Sequence, residues 1–273
     1  MTPAPSAPAE PRRAGREVEL SLVIAADDPE SVLRRLARLR DVGPYALHAR
    51  GSDRIVDRYF DTPDGALQKQ GLALRLRTLD GETLIGLKGP RRSASTHTED
   101  RLELERPFSG EAVEEVRRRT GRAGAAAGST DADGADPDAV LEAALGVALI
   151  QRRETVRLLR DVADAREVSG PVLAELALDR VHFEVGSREV RHYEIEIEAK
   201  RTGRGTSATR AIAEDLVTRH PDELAEWPYG KLPTGRAIEQ LLADGKLADL
   251  GPDGALTPRA YEQIRRYLER ASR

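Results

Sequence analysis

Short segments in which polar and apolar residues alternate recur along the chain. Five of them alternate strictly with a period of two, the pattern of a β-strand that has one buried face. Three less regular segments have the same character, and Asp80-Gly81 between two segments predicts a tight hairpin. Together they predict about eight strands, at residues 17–22, 54–60, 72–77, 83–88, 101–105, 151–159, 173–179 and 193–198.

Helical spacing is confined to fewer segments. Asp28 and Pro29 supply an N-cap and a first-turn proline, and apolar residues follow them at helical intervals. The combination predicts an α+β fold, in which an antiparallel sheet is flanked by helices. The further helices are predicted near residues 110–120, 138–149, 207–220, 234–242 and 258–271.

The alternation also sorts the charged residues. Side chains two apart on a strand point to the same face, and here some strands carry acids alone on that face while others carry cations. A solvated sheet face is the simplest interpretation. However, like charges side by side repel, and a bound counterion would remove the repulsion. The residues are Glu17, Glu19, Arg75, Arg77, Lys88, Glu103, Glu105, Arg153, Arg157, Glu175, Asp179, Glu194, Glu196 and Glu198.

The two kinds of charge favour two kinds of ligand. Carboxylates grouped without cysteine or histidine are typical of Mg²⁺ or Mn²⁺ sites. Grouped arginine and lysine bind phosphate oxygens, arginine through its bidentate fork. Both groups on one face indicate a polyphosphate bridged by metal ions. Eight strands can close into a barrel, which would turn the charged face into a tunnel and leave the apolar faces to pack against helices.

Composition narrows the classes of function. The 273 residues include 43 Lys+Arg and 47 Asp+Glu, whereas a general nucleic-acid binder would be strongly basic. The absence of cysteine excludes disulfides and thiolate catalysis, and it fits a reducing cytoplasm. No segment approaches the roughly 20 apolar residues of a membrane helix, and the first residues lack the apolar core of a signal peptide. We therefore expect a cytoplasmic protein with no nucleic-acid or membrane partner.

Two low-complexity segments divide the chain. Residues 1–15 are rich in proline and alanine and are expected to be a disordered N-terminal tail. Residues 121–137 are predicted to be a flexible internal loop. Residues 16–232 are expected to contain the barrel, and residues 233–273 a C-terminal helical extension.

In the order and spacing of its motifs the sequence resembles the CYTH superfamily, also called triphosphate tunnel metalloenzymes, over roughly residues 16–232. Glu17 and Glu19 occupy the place of the family's opening E-x-E-x-K strand, and Ser21 stands where the family has lysine. Arg54 or Arg58 is a candidate to replace that lysine. The other matching motifs are YFDTP at 59–63, LRLR at 74–77, LKGP at 87–90, the acidic strand at 101–105, Arg152-Arg153, Leu178-Asp179, EIE at 196–198 and YGK at 229–231.

The resemblance implies an eight-stranded antiparallel β-barrel with flanking helices, in which a triphosphate reacts with the help of Mg²⁺ or Mn²⁺. It implies that the catalytic residues are Glu17, Glu19 and Lys88. The implied phosphate-binding residues are Arg75, Arg77, Lys88, Arg153 and Lys231. The implied metal ligands are Glu17, Glu19, Glu103, Asp179, Glu196 and Glu198.

Three functions remain in competition. The first is metal-dependent hydrolysis of a triphosphate-containing small molecule, with inorganic triphosphate as the leading substrate. The second is a class IV adenylate cyclase, which needs a base-recognition pocket for which the sequence shows no clear determinant. The third is a non-catalytic polyphosphate or nucleotide sensor, because Ser21 removes a charge-assisted contact of about 1.5–3 kcal/mol. The sequence leaves the oligomeric state open, and a homodimer is compatible with it.

Overall fold

The computed structural model describes residues 18–89, 103–122, 134–167, 169–247 and 250–271. Ten strands form one sheet: β1 (Glu19–Ile24), β2 (Asp41–Val42), β3 (Tyr45–Asp61), β4 (Ala73–Leu79), β5 (Glu82–Lys88), β6 (Glu103–Pro107), β7 (Ala148–Asp164), β8 (Ala174–Val185), β9 (Arg188–Ala199) and β10 (Leu224–Glu226). The helices are α1 (Pro29–Leu36), α2 (Ala66–Lys69), α3 (Gly110–Arg119), α4 (Pro137–Leu145), α5 (Arg204–Arg219), α6 (Lys231–Ala243) and α7 (Pro258–Ala271), with a 3₁₀ turn at Pro252–Gly254.

The sheet is antiparallel and its strand order is β10-β1-β9-β8-β7-β3-β4-β5-β6, with β2 added to β3. The α+β class and the eight predicted strands are confirmed. The predicted eight-stranded closed barrel is corrected to an open sheet of ten strands in the described part of the chain. β10 pairs with Leu22, Val23 and Ile24 of β1 and forms one end of the strand order, and β6 forms the other end without pairing to it among the described residues.

The alternation pattern did not predict the strands β2 and β10 or the full length of β3 and β7, and the reason is physical. β2 and β10 contain two and three residues, which is too short for a period to show. β3 and β7 each contain 17 residues, but residues 48–52 of β3 are exposed. Those residues are held by backbone pairing to β7 without burying a face, so no alternation marks them.

Other predictions made from the sequence can be compared directly with the structure. The Asp80-Gly81 hairpin joins β4 and β5, and both residues have positive φ, as a type I′ turn requires. The predicted tail at 1–15 lies outside the described residues, as do residues 123–133 of the predicted loop at 121–137. Within the described segments, no helix combines the length and apolar character needed to cross a membrane.

Helices cover the sheet on both faces, but unequally. On the apolar face, α1 and α5 pack over β1, β8 and β9, and α3 and α4 pack over β4 and β5. On the opposite face, α6 and α7 pack over one end of the sheet, against Val23, Val181 and Phe183. These three residues share a face with Glu19 and Asp179, because they lie at even intervals from them on β1 and β8. The C-terminal helices therefore border the charged face.

Candidate functional site

The strand register brings the predicted charged residues onto one face. Arg157 on β7 stands opposite Asp179 on β8, and Asp179 stands opposite Glu194 on β9. Farther along the sheet, Asp57 on β3 stands opposite both Arg153 on β7 and Arg77 on β4. Acids therefore predominate towards β1, β8 and β9, and arginines towards β7 and β4.

Three carboxylates converge on one ammonium at the acidic end, and we refer to Asp179, Glu194 and Glu196 as the acidic cluster. Lys231 Nζ lies 3.1 Å from an oxygen of Asp179 and 2.8 Å from an oxygen of Glu194, and it also contacts Glu196. Arg157 donates to both oxygens of Asp179, at 2.8 and 2.6 Å, and to Glu196. Asp179 and Glu194 are buried, at 0% and 1% exposure.

The cations keep Glu194 and Glu196 of the acidic cluster ionised. Burial raises the pKa of Glu196, but Arg157 and Lys231 outweigh burial and hold that pKa well below its ordinary value. Burial likewise opposes the lowered pKa of Glu194, which Lys231 and His192 bring about. Burial by itself lowers the pKa of Lys231. The three carboxylates outweigh the effect of burial and raise that pKa far above its ordinary value. The cluster is a buried network of fixed charges.

Lys231 reaches the acidic cluster because of where α6 begins. It is the first residue of α6, directly after Gly230, and its side chain is buried. The preceding segment is fixed by Trp227, whose indole N–H donates to the Thr234 hydroxyl at 3.0 Å within the first turn of the helix. Gly235 allows a close approach, since a Cβ there would lie 2.4 Å from Gln151 Nε2 and 2.7 Å from Phe183.

Two arginines, Arg77 and Arg153, bind the carboxylate of Asp57 on β3, and Arg75 lies beside them with Glu105 as its own carboxylate partner. We refer to Arg75, Arg77 and Arg153 as the basic cluster. Arg77 binds Asp57 through Nε at 2.8 Å and Nη2 at 3.0 Å. Arg153 Nη2 donates to Asp57 and to the Tyr59 hydroxyl, each at 2.8 Å. Burial raises the pKa of Asp57, but Arg77 and Arg153 outweigh it and hold that pKa well below its ordinary value.

Two donors of the basic cluster have no hydrogen-bond partner among the described residues. They are Arg153 Nη1 and Arg75 Nε, on side chains whose residues are 3% and 6% exposed. A buried N–H without an acceptor costs free energy, and in a charged group the cost is larger. Two such donors on adjacent parts of one face are suited to the oxygens of an anion.

The remaining predicted site residues lie at the margins or outside the described part. Glu19 lies on the charged face of β1 and contributes to the lowered pKa of Glu196, after burial and the two cations. Glu198 lies on the same face but binds Lys200 at 2.8 Å, away from Lys231. Lys88 is half-buried at the end of β5, opposite Glu103. Glu17 and the side chain of Glu103 are outside the described residues.

The acidic cluster does not present an open metal site. Among the residues that the structure describes, no three carboxylate or imidazole groups are placed so that they could hold a metal ion. Lys231 and Arg157 contact the carboxylate oxygens that would have to turn towards a metal ion. The donor set itself fits Mg²⁺ or Mn²⁺, because it consists of carboxylate oxygens.

Sequence reasoning did not assign Asp57 or Glu194 to the site, although it did assign Lys231. Asp57 lies in a segment that has charges on both faces, so its alternation is weak. Glu194 was recognised as part of the charged face but was not assigned as a ligand. The candidate replacements for the missing lysine, Arg54 and Arg58, lie on the opposite face, where they pair with Glu154 and Asp138. Neither arginine replaces the lysine.

The comparisons with known proteins agree with this architecture. The CYTH domain family model matches residues 16–221 of the sequence. No curated protein matches the chain. A solved structure of a putative adenylyl cyclase from Hippeastrum, described as revealing a dominant triphosphatase activity, is similar with a TM-score of 0.54 and 19% identity, over 82% of this chain and 96% of that one. At this identity the likeness shows a shared fold.

Two further structures are similar with lower scores. A putative adenylate cyclase from Bacillus halodurans has a TM-score of 0.44 and 17% identity, over 79% of this chain and 94% of that one. A protein from Pyrococcus horikoshii has a TM-score of 0.43 and 18% identity, over 84% of this chain and 99% of that one.

Proposed function

The chain belongs to the CYTH domain family, and from this premise we propose that it hydrolyses a triphosphate-containing small molecule, with inorganic triphosphate as the leading substrate and Mg²⁺ or Mn²⁺ as cofactor. One observation carries the proposal. Two buried arginines, Arg75 and Arg153, each keep a guanidinium N–H without a partner among the described residues, on the same sheet face as a buried acidic cluster. An anion that carries metal ions would satisfy both groups of charges.

The basic cluster would bind the phosphates. Arg75 and Arg77 lie on β4 and Arg153 lies on β7, the two strands that flank β3, so their donors share one face of the sheet. Lys88 and Lys231 would add further cations at either side. Asp57 now neutralises Arg77 and Arg153 as an internal counterion. Phosphate oxygens would share the arginine donors that now bind Asp57. They would also accept hydrogen bonds from Arg75 Nε and Arg153 Nη1, which have no partner among the described residues. Tyr59 holds Arg153 in place by two contacts. Its hydroxyl accepts a hydrogen bond from Arg153, and its ring centroid lies 4.8 Å from the guanidinium carbon.

The acidic cluster, together with Glu19, Glu17 and Glu198, would hold the metal ions, whereas Glu103 lies on β6 at the other end of the strand order, opposite Lys88. A divalent cation bound there would neutralise charge on the transferred phosphoryl group. The chain's own contribution is positioning, because phosphoryl transfer passes through a loose transition state and needs fixed charges more than covalent help. The buried ion pairs supply fixed charges in a poorly screened environment, where they act more strongly than in water.

Two alternatives remain as outcomes of the same test. A cyclase activity is suggested by the description of the Hippeastrum protein as a putative adenylyl cyclase. A non-catalytic sensor is suggested by Ser21, which stands on β1 opposite Glu196 and offers a hydroxyl where the family has lysine. The sensor would bind triphosphate through the basic cluster and release no product.

The deciding experiment measures products from inorganic triphosphate, ATP and thiamine triphosphate, with Mg²⁺, with Mn²⁺ and with EDTA. We expect metal-dependent phosphate release from inorganic triphosphate, and its loss in Arg153→Gln. The matched control is Arg152→Gln, because Arg152 is the next residue, is exposed on the opposite face and pairs with Glu184. Cyclic AMP from ATP would favour the cyclase, and binding without turnover would favour the sensor. Neither binding nor turnover of any triphosphate would refute the proposal.

A further inference from the structure

A line of buried polar groups leads from α7 into the acidic cluster. The Tyr261 hydroxyl accepts a hydrogen bond from the backbone N–H of Tyr193 at 3.1 Å and lies 3.0 Å from His192 Nδ1. The other ring nitrogen, His192 Nε2, lies 3.2 Å from Glu194 Oε2. The same carboxylate oxygen is 2.8 Å from Lys231 Nζ. His192 and Glu194 are 0% and 1% exposed, and Tyr261 is buried with them.

The hydrogen bonds in this line have one consistent direction. The ionised carboxylate of Glu194 accepts only, so His192 Nε2 carries the proton that faces it. In the neutral ring His192 Nδ1 is then an acceptor, and the Tyr261 hydroxyl, which is also 3.5 Å from the Tyr193 carbonyl oxygen, donates to the nearer Nδ1 at 3.0 Å. The hydroxyl oxygen in turn accepts the N–H of Tyr193. With the opposite tautomer, a nitrogen lone pair would face a carboxylate oxygen at 3.2 Å, which is repulsive.

Packing alone does not explain these polar groups. The ring of His192 lies among aromatic side chains, with centroids 6.0 Å from Phe183 and 5.6 Å from Tyr261. Trp227 packs on Tyr261 from the other side at 5.6 Å. In such surroundings an apolar residue would satisfy the packing without a polar group to accommodate. What the histidine and the tyrosine add is a fixed donor to Glu194.

We propose that His192 and Tyr261 are positioning residues, which fix the orientation of Glu194 and, through it, of Lys231 in the site. The inference rests on the function proposed above. It gives α7, which contributes no charged residue to either cluster, a part in arranging the acidic cluster. A carboxylate that is held on one oxygen by two donors has little rotational freedom, so its other oxygen is presented in a fixed direction.

The test compares Tyr261→Phe with Tyr267→Phe. Tyr267 lies on the same helix and packs half-buried against the same apolar cluster, so it controls for the loss of a hydroxyl from α7. We expect Tyr261→Phe to weaken Mn²⁺ binding about tenfold, measured without substrate by electron paramagnetic resonance of free Mn²⁺. At saturating Mn²⁺, KM for inorganic triphosphate should stay within about twofold while kcat falls about tenfold. Tyr267→Phe should change none of these.

A second pair of variants tests the donor to Glu194 directly. His192→Gln places an amide N–H near the position of Nε2, whereas His192→Leu has no donor. We expect His192→Gln to retain more of the Mn²⁺ affinity than His192→Leu. Equal loss in both, with folded proteins by circular dichroism, would refute the positioning role. This pair also decides the question if Tyr261→Phe does not fold.

The two proposals fail in different ways. A parent protein that neither binds Mn²⁺ nor hydrolyses inorganic triphosphate would overturn the proposed function itself. If the parent binds Mn²⁺ and hydrolyses inorganic triphosphate, but Tyr261→Phe and Tyr267→Phe have the same Mn²⁺ affinity and kcat, only the positioning role is overturned.

Discussion

Lys231 places one ammonium among three buried carboxylates. Lys231→Met would remove the cation and leave those charges facing one another, so we expect it to lower the free energy of unfolding by about 3–5 kcal/mol without metal. Mn²⁺ should restore part of the loss, because a divalent cation can take the vacated position. Chemical denaturation with EDTA and with Mn²⁺ measures both effects.

The control for this substitution is Lys246→Met. Lys246 is exposed and pairs with Asp244 at 2.9 Å, so its removal should change stability by about 0.5 kcal/mol or less, with no response to Mn²⁺. If Mn²⁺ stabilises neither Lys231→Met nor the parent, the acidic cluster is a structural ion-pair network and not a metal site.

Asp57 allows a prediction of pH dependence. Burial raises the pKa of its carboxyl, but Arg77 and Arg153 outweigh burial, so the folded-state pKa lies well below the ordinary value of 3.8. The stabilisation is therefore complete above pH 3.8 and is lost as pH falls through the folded-state pKa. We expect Asp57→Asn to cost about 3–5 kcal/mol at pH 7, because it leaves buried arginines without their counterion.

The measurement is urea unfolding of Asp57→Asn and of the parent between pH 7 and pH 3. The difference in unfolding free energy should be constant down to about pH 4 and should narrow below it. Asp161→Asn is the control, since Asp161 pairs with Arg50 at the surface and should contribute about 1 kcal/mol or less. A difference that narrowed between pH 7 and pH 5 would contradict the lowered pKa.

At the scale of elements, sequence patterns predicted what depends on one strand alone. Alternation located eight strands and sorted their charged side chains onto one face, because that face follows from the period of the strand. Helix caps predicted α1, where the Asp28 carboxylate accepts the N–H of Ser31 at 2.9 Å. The pattern could not predict β10, because three residues have no measurable period. The closed barrel was wrong because β10 and β6 stand at the two ends of the strand order and do not pair with each other in the described part of the chain, and edge pairing is not encoded in the period of a strand.

The approach of α6 to the sheet allows a prediction at this scale. Gly235→Ala would place a Cβ within 2.4 Å of Gln151 Nε2 and 2.7 Å of Phe183, so these two buried side chains or α6 itself must shift. We expect a loss of about 1–3 kcal/mol in stability and a loss of activity, because α6 carries Lys231. Thermal unfolding and the triphosphatase assay measure these two effects.

Gly230→Ala is the matched control for that substitution. Gly230 directly precedes the same helix, has an ordinary φ of −72°, and a Cβ there would meet nothing closer than 3.9 Å. Its stability and activity should be close to those of the parent. If Gly235→Ala had the same stability and activity as Gly230→Ala, the interface between α6 and the sheet would have enough space for the added Cβ.

For the whole molecule, the site depends on contacts that no local pattern encodes. Asp57 meets Arg153 because β3 pairs with β7, although about a hundred residues separate them. Lys231 and Tyr261 come from helices beyond the strands, and they reach the acidic cluster only through the packing of α6 and α7. Periodicity assigns a residue to a face, but the neighbours across strands and helices are set by tertiary packing.

This arrangement separates anion binding from metal binding, and the separation predicts how the whole chain responds to a ligand. The basic cluster lies on β4 and β7, whereas the acidic cluster lies on β8 and β9. Inorganic triphosphate should therefore bind in EDTA without metal. A ligand that binds the folded state alone stabilises it by about 2.7 kcal/mol at one hundred times its dissociation constant. For a chain of this size we expect the unfolding temperature to rise by about 5–10 °C.

Two neighbouring arginines test the origin of that rise. Arg153→Gln removes a buried guanidinium with an unpaired donor on the charged face, so the shift caused by triphosphate should fall by more than half. Arg152→Gln removes an exposed guanidinium on the opposite face, so it should keep the shift of the parent. For each variant, the unfolding temperature with triphosphate is compared with the unfolding temperature of the same variant without it. This comparison is needed because Arg153→Gln also changes the stability of the free protein through Asp57. Equal shifts in both variants would place triphosphate elsewhere on the molecule, and no shift in the parent would mean that metal ions must bind first.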